Sequence, residues 1–266
     1  MTRRLTLFAS FHSDADLPPY IRHHLIALRQ YSDRLLFISN SPVSKEGQRF
    51  LASIDSVFVQ RPNVGYDFAA WRDGLELCDA RDFDEVLLTN SSIIGPIRDL
   101  GTVFDQMLSR PCDFWGLTTS FGAGCKHLQS FFLVFRKNIV MSRSWSDWWS
   151  EVEDLSDKEE VIRRYEVPLY RFFVEAGYIG TSYLPPPGKV DMARIFLRKR
   201  EGILPAVPAL LYWTNGTVNA PIRLVRQGFP YIKASLIWGH NRRQGIDLAR
   251  LRQVPDVSYD WDIIQP

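Results

Sequence analysis

Through about residue 118 the chain alternates between short apolar runs and segments with the apolar periodicity of helices. The runs have the length and composition of buried strands, and the other segments suit amphipathic helices. The sequence predicts strands at residues 5–11, 35–39, 56–60, 86–89 and 114–117. Strands that alternate with helices in this way are typical of βαβ units. We therefore predict an α/β fold with a mostly parallel sheet flanked by helices.

The pattern changes in the second half of the chain. Residues 129–136 form one continuous apolar strand, and Trp145, Trp148 and Trp149 follow at a spacing that places them on one face of a helix. We favour a face packed into the core over a platform for stacking sugars, because aromatic stripes at helical spacing usually point inward. From three successive prolines at residues 185–187 onward, the sequence predicts short elements and loops.

Composition and charge narrow the classes of protein. Of the 266 residues, 45% are hydrophobic and 13% aromatic, which is enough to build a sizeable core. The formal net charge is only +2, and basic residues are scattered among acidic ones. A nucleic-acid-binding surface would concentrate basic residues, so we predict no nucleic-acid partner. Cys78, Cys112 and Cys125 lie far apart with no C-x-x-C pair, which argues against a zinc site and a disulfide framework.

Targeting signals are absent from the pattern. The N-terminal segment lacks the long apolar region and small-residue cleavage site of a signal peptide. The longest unbroken apolar stretch, residues 131–135, is far shorter than the roughly 18 residues that suggest a membrane span. We therefore expect a cytoplasmic protein.

Two polar stretches stand at the ends of predicted elements. Residues 61–67, R-P-N-V-G-Y-D, form a turn that enters a helix, and residues 84–92, D-E-V-L-L-T-N-S-S, form a strand that ends in a polar cluster. In parallel sheets, ligands bind beyond the carboxyl ends of the strands, where the connecting loops gather. The sequence therefore predicts that both stretches border one ligand-binding cleft.

Glu166 is a candidate proton acceptor. It stands just before a helix that the sequence predicts to begin at Pro168. A carboxylate at a helix N-terminus is stabilised in its ionised form and can take a proton from a hydroxyl. On spacing alone, a helix cap or a surface charge is the more common role for such a residue.

The order of these motifs resembles a known family. An N-V-G turn at residues 63–65, E-V-L-L-T-N-S-S at 85–92, a strand at 127–136 and Y-E-V-P at 165–168 occur in the order found in the rhamnan synthesis F family of bacterial polysaccharide assembly. That layout is similar to nucleotide-sugar transferases of the GT-A fold. The resemblance extends over about residues 4–240.

The resemblance implies a domain division. It implies one glycosyltransferase domain at residues 1–240, with a nucleotide-binding half at 1–118, an acceptor-side half at 119–240 and a tail at 241–266.

The resemblance also assigns roles to individual residues. It implies that Glu166 is the catalytic base in an inverting reaction. The positions that it implies for nucleotide contacts are Phe11 and Asn40 at the nucleobase, Asn63, Gly65 and Asp67 at the turn beside the ribose, and Thr89, Asn90, Ser91 and Ser92 at the diphosphate. Gly65 would permit close backbone approach to the nucleotide. For Asp67, a ligand contact and a helix N-cap are equally good interpretations.

This chain departs from the fold's usual pattern at the diphosphate. Asn90, Ser91 and Ser92 stand where a carboxylate usually holds a divalent cation, and neutral oxygens alone hold Mg²⁺ or Mn²⁺ poorly. We therefore name no metal ligands and expect donor binding without a divalent metal. Other cations must then neutralise the leaving group. The candidates are Arg61, Arg72, Lys126, His127, Arg223 and Lys233, of which we favour Lys126, His127 and Lys233.

The resemblance implies a transferase that moves a deoxyhexose, rhamnose by the family's name, from a nucleotide diphosphate sugar to a cell-surface polysaccharide or lipid-linked glycan. A lipid-linked acceptor would imply peripheral association with the inner face of the plasma membrane. The alternative is a degenerate, non-catalytic module that binds nucleotide or glycan, because a fold does not guarantee chemistry. A dehydrogenase is disfavoured, because the first strand is not followed by G-x-G-x-x-G.

Overall fold

The computed structural model describes residues 2–12, 15–122, 125–185, 215–238 and 246–264. Its strands are β1 (Arg4–Ser10), β2 (Arg34–Ser39), β3 (Ser56–Gln60), β4 (Glu85–Asn90), β5 (Ile93–Ile94), β6 (Phe114–Gly116), β7 (Thr119–Gly122), β8 (Cys125–Leu128), β9 (Phe132–Arg136), β10 (Gly180–Ser182) and β11 (Ile232–Lys233). Its α-helices are α1 (Pro19–Arg29), α2 (Lys45–Ser53), α3 (Tyr66–Glu76), α4 (Gly101–Leu108), α5 (Lys137–Val140), α6 (Arg143–Ser150), α7 (Lys158–Val161), α8 (Val167–Glu175), α9 (Gly216–Asn219), α10 (Pro221–Arg226) and α11 (Leu248–Arg252). A π-helical turn spans Ile162–Glu166, between α7 and α8.

The central sheet has seven strands in the order β10-β6-β9-β4-β1-β2-β3. β1 pairs in parallel with β2 and β4, and β2 pairs in parallel with β3. β9 is antiparallel to both β4 and β6. The predicted α/β architecture with a mostly parallel sheet is confirmed, and the five predicted strands correspond to β1, β2, β3, β4 and β6.

The sheet is buried on both faces because helices cover each side. All residues of β1 and β4 are buried, which explains why these strands are mostly apolar and do not alternate between apolar and polar residues. One core cluster contains Phe68 and Trp71 of α3 together with the tryptophans of α6 and Phe173 of α8. The three tryptophans are each less than 10% exposed, so the core-facing interpretation of their stripe is confirmed.

The C-terminal part of the chain joins the other core cluster. β11 pairs antiparallel with β5, a two-residue strand directly after β4. Leu251, Trp261 and Ile264 are buried in the same cluster as Tyr231, so residues of the predicted tail contribute to the core. Pro186 and Pro187 lie outside the described residues. Within the ranges described above, no helix is both long and apolar enough to cross a membrane.

Candidate functional site

One edge of the sheet gathers the polar residues singled out in the sequence. In the sheet register, Ala9 near the end of β1 aligns with Asn90 at the end of β4. Because β9 runs antiparallel, its first residue, Phe132, aligns with Thr89 at the same edge. The carboxyl ends of β1 and β4 therefore meet the amino end of β9 here.

Asn90 connects the two polar stretches. Its side-chain amide donates a 2.7 Å hydrogen bond to Oδ2 of Asp67, and its Oδ1 accepts from the backbone N–H and the hydroxyl of Ser92, at 3.0 and 2.6 Å. Asn90 is buried. The first turn of α3 and the end of β4 are thus joined through one amide, as the shared sheet edge predicts.

Lys233 lies against the same serine. Its Nζ donates to Oγ of Ser92 at 3.3 Å and stands 4.2 Å from the centroid of the Phe131 ring. The backbone fixes this arrangement, because Lys233 pairs with Ile93 and the next N–H, of Ala234, donates to the carbonyl of Ser92 at 2.9 Å. A residue 141 positions away in sequence is therefore anchored at the end of β4.

Asp67 and Lys233 have opposite charges in shared surroundings. Each is enclosed by protein while keeping part of its surface in contact with solvent. Burial raises the pKa of Asp67 to about 6, an effect that the Asn90 hydrogen bond and the charge of Lys233 partly offset. Burial lowers the pKa of Lys233 to about 8, against the opposing charges of Glu166 and Asp67. At neutral pH both side chains are mostly charged.

Glu166 is the last residue of the π-helical turn. Its Oε2 accepts a 3.0 Å hydrogen bond from Ser130, just before β9, and its Oε1 lies 4.0 Å from Nε2 of His127. The side chain is 20% exposed. The carboxylate is thus oriented by the hairpin strand β8 and the start of β9, and it retains contact with solvent. We use the name polar cluster for Asp67, Asn90, Ser92, Glu166 and Lys233.

The predicted helix N-terminus at Glu166 is wrong. The helix continues from α7 through the π-helical turn into α8, and Glu166 itself has helical backbone angles. The N–H of Val167 donates to the carbonyl of Ile162, five residues back, in the wider turn that accommodates Pro168 without ending the helix. A free helix terminus therefore does not stabilise the Glu166 carboxylate.

Gly65 has a structural role in addition to the predicted one. It is the N-cap of α3 with φ of 72°, and its N–H donates to the carbonyl of Leu155 at 2.8 Å. A Cβ at this position would lie 2.7 Å from Oδ1 of Asp154 and 2.3 Å from Cβ of Ala69. The left-handed conformation and the packing against protein therefore require a glycine here by themselves, and the predicted approach of a nucleotide stays a prediction. Because Gly65 is the N-cap, the cap interpretation of Asp67 is also wrong; Asp67 lies in the first turn.

Thr89 does not line the polar cluster. Its side chain is fully buried, and its hydroxyl donates to the carbonyl of Phe131 at 2.8 Å. The indole N–H of Trp71 donates to the carbonyl of Thr89 at 3.1 Å. The predicted diphosphate contact by Thr89 is therefore corrected to a structural role between β4 and β9. Ser91 and Ser92 are partly exposed at the same strand end.

The favoured cations separate in the structure. The Lys126 ammonium lies 3.3 Å from the hydroxyl of Tyr170 and 4.9 Å from the centroid of its ring, so it packs on α8. His127 faces Glu166. Lys233 is the one of the three favoured candidates that contacts the serines after β4.

Two polar atoms at the ends of β1 and β2 are buried without partners. Oγ of Ser10 and Oδ1 of Asn40 have no hydrogen-bond partner among the residues that the structure describes. The backbone N–H of Asn40 donates to the carbonyl of Ser10, which places the two residues side by side. Phe11, the next residue, is 58% exposed, and Asn63 is also exposed. Orphaned buried polar atoms mark positions where a ligand or water completes the hydrogen bonding.

Sequence reasoning missed Ser10, Ser130, Phe131 and Asp154. Ser10 shares the strand-end position that singled out Phe11, so its position gave a usable signal. Ser130 and Phe131 read as part of an apolar strand, and Asp154 lies in a loop whose contact with Gly65 spans 89 positions. Such long-range contacts leave no local pattern.

The donor set does not fit a divalent cation. At the end of β4 the candidate oxygens are those of Asn90, Ser91 and Ser92, together with a single carboxylate, that of Asp67, which is hydrogen-bonded to Asn90. The Lys233 ammonium lies 3.3 Å from the Ser92 hydroxyl. Mg²⁺ and Mn²⁺ favour carboxylate-rich oxygen sets and are repelled by a neighbouring ammonium. Over the part of the chain that the structure describes, no group of three or more His, Cys, Asp or Glu side chains could hold a metal ion.

Comparison with known sequences identifies relatives. Residues 35–195, more than half of the chain, match the family described as rhamnan synthesis protein F. The chain is 27% identical over 195 residues to virulence protein VirA of Vibrio anguillarum, covering 68% of this chain and 62% of that protein. It is also 27% identical over 158 residues to the uncharacterized protein y4gN of Sinorhizobium fredii, covering 57% and 41%. The chain thus spans only about two fifths to three fifths of these relatives' lengths.

The family match confirms the resemblance inferred from the motifs. The matched range, residues 35–195, is shorter than the predicted one, and Phe11 and Lys233 lie outside it. Solved structures with some similarity include the glycosyltransferase GlyE of Streptococcus pneumoniae TIGR4, with a TM-score of 0.49, 14% identity, and coverage of 99% of this chain and 62% of that one. Another is glucosyl-3-phosphoglycerate synthase of Mycobacterium tuberculosis in complex with Mn²⁺ and UDP, with a TM-score of 0.35, 13% identity, and coverage of 51% and 58%. At these scores the structural likenesses carry no argument about the chemistry of this chain.

Proposed function

Because the chain belongs to the rhamnan synthesis protein F family, we propose that it is a glycosyltransferase that uses a nucleotide diphosphate sugar as donor. The family's name supports a deoxyhexose, rhamnose, as the sugar and a cell-surface polysaccharide as the product. The acceptor would be a growing or lipid-linked glycan, reached by peripheral association with the inner face of the plasma membrane.

The observation that carries this proposal is the setting of Glu166. Its carboxylate accepts one hydrogen bond from Ser130, lies near His127 and remains partly exposed beside the polar cluster. A carboxylate held in this way retains lone pairs for a substrate hydroxyl, and a positioned group of this kind is what general-base catalysis requires. Asn90, Ser91 and Ser92 would contact the diphosphate, and the unpartnered atoms of Ser10 and Asn40 would contact the nucleoside.

The proposed reaction is a direct displacement. The acceptor hydroxyl transfers its proton to Glu166 while its oxygen forms a bond to the anomeric carbon. The bond from that carbon to the diphosphate oxygen breaks, and its electron pair leaves with the nucleoside diphosphate. Attack opposite the leaving group inverts the anomeric centre, and holding both reactants in line supplies much of the rate enhancement.

A screen of purified protein against nucleotide diphosphate sugars tests the function. Transfer and hydrolysis are followed by release of nucleoside diphosphate, with and without chelator. Glu166→Gln should lower turnover by about 10²–10⁴ while donor affinity and melting temperature change little, because the substitution removes basicity and keeps shape. Glu160→Gln is the matched control, since Glu160 lies on α7, 3.6 Å from the Arg163 guanidinium.

Three outcomes separate the alternatives. Loss of turnover in Glu166→Gln with normal Glu160→Gln supports the base. Full activity in Glu166→Gln contradicts the role of Glu166 and leaves the transferase class standing. Donor binding with no turnover on any sugar supports the second candidate, a non-catalytic binding module, which the carboxylate-free serines after β4 favour.

A further inference from the structure

We propose that Lys233 binds the donor diphosphate and supplies the positive charge that a divalent metal would otherwise supply to the leaving group. This inference rests on the proposed donor and names a residue that the family match does not cover. It is carried by the position of the ammonium, by the donors that the described residues leave unused, and by the poor fit of the described oxygens around it to a divalent cation.

The Lys233 ammonium is held in position by backbone and side chain together. β11 pairs with β5, and the N–H of Ala234 donates to the carbonyl of Ser92, the residue just before β5. The Phe131 ring lies 4.2 Å from Nζ, and a ring face stabilises a cation without using its N–H donors. The charge is therefore positioned before a ligand arrives.

The ammonium has unused hydrogen-bonding capacity. A lysine ammonium has three donors, and Oγ of Ser92, at 3.3 Å, is its one hydrogen-bond acceptor among the described residues. The remaining donors can take oxygen atoms from a ligand. Diphosphate oxygens suit this site, because hydrogen bonds between charged groups are shorter and stronger than neutral ones.

Two other candidate cations, Arg61 and Arg72, are occupied by carboxylates of the protein. Arg61 donates to Asp73 and Asp154 at 2.7 and 2.8 Å, and Arg72 contacts the same two carboxylates. These guanidinium groups hold the turn before α3 rather than the serines after β4.

The ionisation of Lys233 gives the proposal a second readout. Burial lowers the pKa of Lys233 to about 8, and the charged groups that act on it are Glu166, Asp67 and Lys158. The ammonium form predominates at pH 7 and is lost as pH rises through about 8. Diphosphate affinity should therefore fall above pH 8 in the unmodified protein and stay level in Lys233→Arg, because arginine remains protonated.

Calorimetric titration tests the proposal with UDP, GDP and dTDP, and each diphosphate is compared with the nucleoside that lacks its phosphates. Each titration is carried out once in EDTA and once in the presence of Mg²⁺ or Mn²⁺. Lys233→Met keeps an aliphatic chain over Phe131 and should weaken diphosphate binding by about 10- to 100-fold, the usual effect of one charge-assisted hydrogen bond. Nucleoside affinity and melting temperature should stay unchanged. Lys233→Arg should retain most of the affinity. Lys137→Met, on the exposed start of α5, is the matched control.

Each result decides the proposal. Diphosphate binding in EDTA that Lys233→Met selectively weakens supports it. Unchanged affinity in Lys233→Met, or binding that EDTA abolishes and Mn²⁺ or Mg²⁺ restores, overturns the role of Lys233 and leaves the proposed transferase intact. If no diphosphate binds the unmodified protein under either condition, the proposed donor class fails, and this inference fails with it.

Discussion

Arg61 and Lys233 are both cations withdrawn from bulk solvent, yet their surroundings differ sharply. Each of the three guanidinium nitrogens of Arg61 donates to protein: to Asp73 at 2.7 Å, to Asp154 at 2.8 Å and to the carbonyl of Val64. Among the residues that the structure describes, Lys233 donates to one hydroxyl and lies against one aromatic ring. A cation with each of its nitrogens bonded to protein stabilises the fold, whereas one with spare donors is available to a ligand.

The carboxylates of these two regions differ in the same way. Asp154 accepts from Arg61 and from Arg72, at 2.8 and 3.2 Å. Asp67 accepts from the neutral amide of Asn90, and burial raises its pKa to about 6. The Arg61 contacts fix the turn from which α3 begins, and α3 carries Asp67 to the polar cluster. The region around Arg61, whose charged groups bind one another, therefore positions Asp67 in the polar cluster.

The largest effect that we expect is the loss of unfolding free energy in Arg61→Met, which tests the structural role of Arg61. Removing one partner of a buried ion pair typically costs 3–5 kcal/mol, and the partial exposure of Asp73 and Asp154 places the expected loss of unfolding free energy at about 3 kcal/mol. Urea unfolding measures it, with Lys233→Met as the paired variant. Lys233→Met should change the free energy by less than about 1 kcal/mol. A greater loss in Lys233→Met than in Arg61→Met would reverse the assignment of structural and ligand-binding charges.

The sequence predicted the sheet well because strand and helix periods are local. It also predicted that the stretches at 61–67 and 84–92 would meet, since strand order brings their ends to one edge. It did not predict where the Thr89 side chain points, because its hydroxyl donates to the carbonyl of Phe131, 42 residues away. It also did not predict the contact of Gly65 with Asp154. Pro168 predicted a helix start because the π-helical turn that accommodates proline has no local sequence signature.

A smaller effect, of opposite sign, is expected for Asp67→Asn. The folded protein holds Asp67 with a pKa of about 6 against an ordinary value of 3.8, so the folded state binds the proton more tightly than the unfolded state. Stability is therefore lost as pH rises from about 4 to about 6, and the full cost applies above that window. Asparagine keeps the acceptor for Asn90 and removes the charge, so Asp67→Asn should stabilise the protein by about 1–3 kcal/mol at pH 7.5.

The measurement for Asp67→Asn is urea unfolding at pH 4 and at pH 7.5. The two proteins should differ much less at pH 4 than at pH 7.5, because at pH 4 Asp67 is protonated in the folded state and only partly ionised in the unfolded state. If Asp67→Asn is destabilised to the same extent at both pH values, Asp67 is a structural carboxylate like Asp154. The two carboxylates would then not differ in the way described above.

The smallest expected effect concerns Ser130, which we infer to be a positioning residue for Glu166. Its hydroxyl donates to Oε2 of Glu166 at 3.0 Å, and in Ser130→Ala the nearby His127 ring would remain 4.0 Å from the other oxygen. Loss of one such bond is worth about 1 kcal/mol, which corresponds to a roughly fivefold lower kcat. The KM for the donor should be unchanged, because the proposed diphosphate contacts are Ser92 and Lys233 rather than Glu166. Ser130→Thr restores a hydroxyl at the same carbon and should recover most of kcat. If KM rises while kcat is retained, or if threonine restores the melting temperature without restoring kcat, Ser130 supports packing at the start of β9 rather than the orientation of the base.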